Sequence, residues 1–437
     1  MSTAMQATFI DAAQAGHSAE QSACRKAAWR LVPLLAIAYF VNYLDRTNVG
    51  FAALTMNRDL GLSAAQFGLA AGIFYVGYCL FEVPSNLALY RYGARRWLAR
   101  IMITWGLFAA GTSLAVGPNS YAAIRLLAGI GEAGFFPGVI FYLTLWFPSR
   151  YRTRMMGWFL AAIPLSSVFS GPLSVSMLEL DGWLGLHGWQ WLFILQGLPA
   201  CVLGVLCLRM LTDRPDNATW LTEEERAALA SAIERERSAA VEHRLGPALK
   251  DARVWLLTAI LFSYIIGILG IGVWMPTILK THHLSNTQVG FATALPYVVG
   301  ALVMLGWARV VARTQRYVLH LVITCAVAAL GFFASVASDA LVPAMLGLTV
   351  AVVGLSSVRT CFYSIPATFL DKQAAAGGLA FINSVGSLGG LFGPYMVGWL
   401  KDATGSFKAG LIGMGTMLVL ATLLSLVLLS RVKEGQR

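Results

Sequence analysis

Apolar runs of about 20 residues, the length that crosses a bilayer as an α-helix, recur along almost the whole chain with short polar stretches between them. The pattern predicts twelve spans, near residues 30–54, 66–90, 96–116, 120–146, 153–178, 190–210, 254–279, 288–312, 317–337, 341–366, 374–400 and 407–430. One long polar segment, 211–252, divides them six and six. The expected fold is all-α and integral to a membrane, with twelve transmembrane helices in two pseudo-symmetric six-helix bundles. The expected organisation is a tail over 1–29, a first bundle over 30–210, a linker over 211–252, a second bundle over 253–430 and a tail over 431–437. Within the linker, Thr222 and Glu225 have the spacing of a capping box, so a short surface helix is expected there.

The halves echo one another. Ser170-Gly-Pro172 in the fifth span is matched by Phe392-Gly-Pro394 in the eleventh. Parallel repeats with a site between them near the midplane are the logic of many secondary transporters. The eleventh span also carries Gly389 and Gly393 at the GxxxG spacing that lets helix backbones approach closely.

Composition supports the membrane reading, with 57% hydrophobic and only 12% charged residues, where soluble domains carry about 25% charged. The net charge of +11 would suit a nucleic-acid partner, but its distribution argues for topology instead. Residues 1–29 lack the apolar region of a signal peptide, so the N-terminus is expected to stay in the cytoplasm. Taking the loops alternately from there places 25 Lys and Arg on the inner side and 4 outside, namely Arg58, Lys280, Lys401 and Lys408. Such an asymmetry is the positive-inside rule, with both termini cytoplasmic.

No enzyme signature is present: there is no nucleophile elbow, HExxH pair or Walker loop, and the six cysteines show no CxxC pair or ligand spacing with histidine. No catalytic residue, metal site or cofactor is expected.

The informative residues are charges inside apolar spans. Asp45 and Arg46 are adjacent in the first span, Arg125 and Glu132 share the fourth, and Arg359 lies in the tenth. A charge at mid-bilayer depth costs about 2.5–3.5 kcal/mol on insertion scales, so each needs a partner or a polar cavity. Arg125 and Glu132, seven residues apart, share a helix face about 10 Å apart along the axis. Asp45 and Arg46 point about 100° apart, so only one can face the interior squarely. These charges read either as an ion-pair network locking the helices or as a ligand site. Buried pairs gain little over apolar packing, which favours the site.

With Glu82 placed near the cytoplasmic end of the second span, the interior holds three arginines against two acids. That excess favours an anionic ligand, since guanidinium grips carboxylate through two parallel hydrogen bonds. Arg359 reads as a further substrate contact or as a partner for Asp371. Tyr43, Tyr78 and Asn383 could complete the site or make ordinary interhelical hydrogen bonds.

Several blocks resemble the major facilitator superfamily, and within it the anion:cation symporter family: Asn42-Tyr-Leu-Asp-Arg46, Phe81-Glu-Val-Pro-Ser-Asn86, the run Arg125 to Gly138, Tyr142 to Pro148, Trp189 to Phe193 and Phe381-Ile-Asn-Ser384. The likeness runs from about residue 30 to 430 and is nearest to bacterial tartrate, phthalate and hydroxyphenylacetate permeases. It implies the major facilitator fold, alternating access and proton-coupled import of an organic anion. Carried over by position, Asp45 and Glu132 are the proton-coupling acids. Arg46 and Arg125 bind the anion or control those acids, while Tyr78 and Asn383 line the substrate site.

The chain also departs from the family pattern. In the gating loop after the second span only Arg91, Gly93, Arg95 and Arg96 keep that pattern, with Asn86 and Tyr90 where a glycine and an aspartate are usual. Ile163 replaces a polar contact of galactonate-type relatives, which argues against a sugar acid.

The expected function is therefore secondary active import of an organic acid anion, a dicarboxylate or an aromatic carboxylate, by proton symport. The expected setting is a bacterial inner membrane, with the chain a monomer whose partners are anion, protons and lipid. An exchanger or exporter of the same fold, or a non-transporting membrane receptor, is the alternative.

Overall fold

The computed structural model describes residues 3–237, 249–370 and 372–432, and the described residues are helical with short connections. The first half consists of α1 (Thr3–Asp59), α2 (Ala64–Tyr92), α3 (Ala94–Gly111), α4 (Pro118–Glu132), α5 (Phe135–Trp146), α6 (Ser149–Leu160), α7 (Ala162–Leu178) and α8 (Gly188–Met210). A connecting helix, α9 (Glu223–Arg237), precedes the second half. That half holds α10 (Ala252–Lys280), α11 (Asn286–Thr314), α12 (Tyr317–Val336), α13 (Leu341–Phe362), α14 (Lys372–Gly386), α15 (Gly389–Thr404) and α16 (Phe407–Arg431). Each half makes six crossings, because α4–α5, α6–α7 and α14–α15 are single spans interrupted once.

Ten of these segments are long and apolar enough to cross a membrane by length and composition, among the described residues. The remaining two have physical reasons for falling short. Helix α3 carries Arg95, Arg96 and Arg100 in its first half, and the eleventh span is cut at Ser387–Leu388 into α14 and α15. The apolar pattern alone suggests continuous helices at all three interrupted spans. At one of them, Gly134 adopts φ +87°, where a Cβ would also overlap the Ser85 side chain, so only glycine fits. Helix α4 therefore ends at Glu132, one of the acids identified in the sequence.

The two halves meet most closely at the end away from the chain termini, called here the distal end. A Cβ on Gly68 of α2 would overlap the Pro394 carbonyl of α15, and one on Gly171 of α7 would overlap the Gly290 carbonyl of α11. Asp402 at the end of α15 accepts the amides of Ala64 and Ala65 at 3.1 and 2.8 Å. A carboxylate is well placed there, against the exposed amides and positive end of α2. Glu179 and Thr287 add a hydrogen bond of 2.9 Å across the same seam. Toward the other, terminal end, α2 leaves Val83, Leu87 and Tyr90 exposed.

Helix α9 packs on the first half. Leu221 and Leu229 join its buried core, and Glu225 accepts from Ser22 and Lys26 of α1 at 2.7 and 2.9 Å. Thr222 and Glu225 form the reciprocal capping box, at 3.2 and 3.0 Å.

Candidate substrate and coupling site

Adjacent positions on α1 diverge, as 100° per residue requires. Asp45 is buried and turns into the first half, where its carboxylate accepts from Trp105 Nε1 of α3 at 2.9 Å and Asn48 Nδ2 at 3.1 Å. Arg46 turns to the interior and pairs with Glu132 of α4, its Nε donating to Oε1 at 2.7 Å and its Nη2 reaching the same oxygen. Glu132 is fully buried, and its Oε2 makes no hydrogen bond.

Glu132 therefore partners the arginine of another helix, not Arg125 of its own. Two helical turns separate Arg125 and Glu132, too far for side chains on one helix to meet. Arg46 crosses from α1 and closes the gap.

Aromatic rings organise the remaining guanidinium groups. Arg46 Cζ lies 5.1 Å from the ring centre of Tyr78, 5.6 Å from Phe74 and 5.9 Å from Tyr43. Arg125, almost fully buried, has its Cζ 4.9 Å from the same Phe74 ring, and its Nε has no hydrogen-bond partner. Phe74 thus serves two cations, whose attraction to a ring face strengthens when water is excluded.

Arg359 of α13 reaches the same interior from the second half. Its Nη2 donates to the Tyr43 hydroxyl at 3.2 Å and its Nε to the Tyr264 hydroxyl at 3.3 Å. Neither contact supplies a negative charge, and Asp371, the alternative partner read from the sequence, lies outside the described residues. The Tyr43 phenol accordingly stands between Arg359, which it hydrogen-bonds, and Arg46, over whose guanidinium its ring lies. Asn383 is half-buried on α14, beside Ser384, whose carbonyl meets Cys79 Sγ of α2 at 3.8 Å.

Arg91, Gly93, Arg95 and Arg96 lie elsewhere, at the terminal end. Gly93 joins α2 to α3 at φ +88°, and the Arg95 amide donates to Asp213 Oδ1 at 2.8 Å. Arg91 and Arg96 are exposed. The acid next to this loop comes from the segment after α8, a source its own sequence gives no sign of.

Four contributors to the interior escaped sequence reasoning: Phe74, Trp105, Asn48 and Tyr264. Phe74 and Asn48 left a signal, Phe74 four residues before Tyr78 and Asn48 three after Asp45, each on the same helix face as its neighbour.

Paired six-span halves around a buried, cross-helix ion pair, with further buried arginines that form no salt bridge among the described residues, define a multi-pass membrane transporter. The chain belongs to the major facilitator superfamily, whose sequence profile matches residues 35–394. Among similar proteins is one named "Putative tartrate transporter" from Agrobacterium vitis, 45% identical over 411 residues, 94% of this chain and 95% of that protein. A quinolone resistance transporter from Acinetobacter baumannii is 38% identical over 419 residues, covering 95% of this chain and 96% of that one. The inward open structure of the xylose transporter XylE from E. coli superposes with a TM-score of 0.76 at 14% identity, covering 94% and 98% of the respective chains. That likeness concerns the fold.

Proposed function

We propose that this protein imports an organic acid anion by proton symport, and that Glu132 and Arg46 couple the two fluxes. The observation that carries the reading is their ion pair, formed between separate helices beside Arg359, which meets only tyrosine hydroxyls, and Arg125, which forms no salt bridge among the described residues. While Glu132 is ionised, it occupies Arg46. A proton on Glu132 removes its charge, and a substrate carboxylate takes its place on the guanidinium through two parallel hydrogen bonds.

Either event alone leaves an uncompensated buried charge, and breaking a buried pair in that way costs about 3–5 kcal/mol. Proton and carboxylate therefore enter together and leave together. Asp45 is the second proton-coupling acid, while Arg125 sets the local charge from behind Phe74.

A substrate with a second carboxylate would meet Arg359, so a dicarboxylate such as tartrate fits the paired cations best. Tyr43, Tyr78 and Asn383 line the remaining space, and the aromatic wall also suits an aromatic carboxylate such as phthalate or hydroxyphenylacetate.

The positive-inside charge bias assigns the terminal end to the cytoplasm and the setting to a bacterial inner membrane. The sealed distal seam and the exposed terminal part of α2 then correspond to a state facing inward. Residues 30–210 and 253–430 rock as two bodies within a monomer, with Arg91, Gly93, Arg95 and Arg96 at the inner gate and helix α9 riding on the first body.

The test is uptake of labelled tartrate, phthalate, hydroxyphenylacetate and galactonate into cells expressing the chain, with and without a protonophore. Accumulation of one acid that collapses with protonophore supports symport. The likeness to a quinolone resistance transporter gives an exporter or exchanger a specific footing. That reading gains if no acid accumulates but preloaded cells release it.

A further inference from the structure

A second cluster of arginines lies well away from the coupling pair, where α1, α3, α8 and the segment after α8 converge at the terminal end. A cavity of about 360 Å³ is lined there by Arg30, Arg95 and Arg209, with Asp213, Thr219 and Trp220 among its other walls. The three guanidinium groups come from three different helices, and none forms an ion pair among the described residues. Arg95 Nε is buried without a hydrogen-bond partner. Asp213, the one carboxylate in the wall, already accepts the Arg95 amide through Oδ1 at 2.8 Å.

One wall is held by hydrogen bonds and ring stacking. Thr212 O accepts from Tyr142 Oη at 2.7 Å and from Trp146 Nε1 at 3.1 Å. Trp146 stacks on Trp220 with ring centres 5.3 Å apart, and Arg30 Cζ lies 5.3 Å from the Trp220 ring. The neighbouring Trp29 is 80% exposed, as expected of a tryptophan at the membrane–water boundary. Three cations with open donors, drawn from three helices around walls that Thr212, Trp146 and Trp220 hold, match a tetrahedral oxyanion better than a planar carboxylate. Guanidinium is also the side chain best suited to phosphate.

We propose that this cavity is a phosphate-binding site, taking the phosphate of an anionic lipid headgroup or free phosphate from the aqueous side. Basic pockets between membrane helices bind lipid headgroups by the same chemistry. A ligand here would tie α1, α3 and α8 to the start of the connecting segment.

The test uses the full-length protein purified in neutral detergent, with thermal unfolding followed during three titrations: short-chain phosphatidylglycerol, short-chain phosphatidylcholine and inorganic phosphate. The site requires a saturable rise of the midpoint with phosphatidylglycerol, with inorganic phosphate, or with both, and none with phosphatidylcholine. A response to phosphatidylglycerol alone identifies lipid as the source, and a response to inorganic phosphate at matched concentration identifies the free anion. Removing two donors in Arg95→Gln/Arg209→Gln should weaken the apparent affinity about ten- to a hundredfold. Arg309→Gln, which removes an exposed arginine elsewhere, should leave it unchanged. Should the double variant misfold, Arg30→Gln, at an exposed position, reports on the same pocket. The proposal is overturned if neither phosphate source shifts the midpoint, or if Arg309→Gln loses as much affinity as the pocket variants.

Discussion

Arg46 of α1 spends its charge on Glu132 of α4, 86 positions away in sequence, with Nε to Oε1 at 2.7 Å, while its neighbour Asp45 faces Trp105. The pair joins two helices of one half and leaves Arg125 and Arg359 without a salt bridge among the described residues. If it is the coupling device, its two members should fail in different ways when replaced.

Glu132→Gln removes the titrating group but keeps the shape. Accumulation against a gradient should fall at least about tenfold, because the proton that Glu132 carries no longer accompanies the anion, while Arg46, freed of its partner, still binds it. Counterflow of labelled anion between preloaded and external pools should survive and lose the pH dependence that Glu132 gives it. Loss of both counterflow and accumulation would mean that Glu132 serves only to hold the helices together.

Arg46→Lys keeps the positive charge but not the planar fork, so the anion's affinity should drop about tenfold or more. The apparent KM for uptake reports this. An unchanged KM would place the anion elsewhere.

Arg359→Gln should discriminate between substrates. It removes the donors now facing Tyr43 and Tyr264, which are placed to receive a second carboxylate. Affinity for a dicarboxylate should fall about ten- to a hundredfold, the worth of one charge-assisted contact, while a monocarboxylate is nearly unaffected. Competition of both classes against one labelled substrate measures the ratio directly, and equal losses would remove Arg359 from the specificity site.

The distal seam makes a steric prediction. Gly68→Leu places a side chain against the Pro394 carbonyl that lies closest to it, so the sealed state should be disfavoured. Transport should fall with normal expression, and a cysteine introduced at Ser174, buried on α7, should become reactive to a reagent applied from the distal side. Unaltered labelling would show that the seam tolerates the bulk.

Glu225 fixes a pH window for the docking of α9. Burial pushes its carboxyl up, but hydrogen bonds from Lys26, the Thr222 amide and Ser22, with the Lys26 charge, outweigh that and hold it at about 2, below the usual 4.5. A depressed carboxylate contributes stability that is fully present above about 4.5 and is lost as pH falls toward 2. Glu225→Gln should therefore lower the unfolding midpoint at pH 7, and the difference from the parent should shrink below pH 4.5, as thermal melts at stepped pH would record.

Much of the architecture was legible in the chain because the bilayer leaves few choices. Apolar runs separated by short polar stretches become helices wherever backbone groups must pair internally, and the Thr222–Glu225 capping box forms at the predicted place. The divergence of Asp45 and Arg46 follows from the helical step alone. Which acid Arg46 would choose does not, since that depends on where α1 crosses α4. Trp105 was equally hidden: it is one of 13 tryptophans, and nothing nearby in sequence ties it to Asp45. The breaks at Gly134 and Ser387–Leu388 escaped notice because hydropathy registers apolar content, not backbone continuity.

The central claim is most directly tested by protons themselves. Purified protein in liposomes with a trapped internal pH indicator would be given tartrate outside, or whichever acid the uptake panel selects, with the membrane potential clamped. Internal acidification that starts with the substrate, saturates with it and falls sharply in Glu132→Gln is the expected result. Substrate entry with no change in internal pH, in protein that still carries out counterflow, would contradict proton coupling through the Arg46–Glu132 pair.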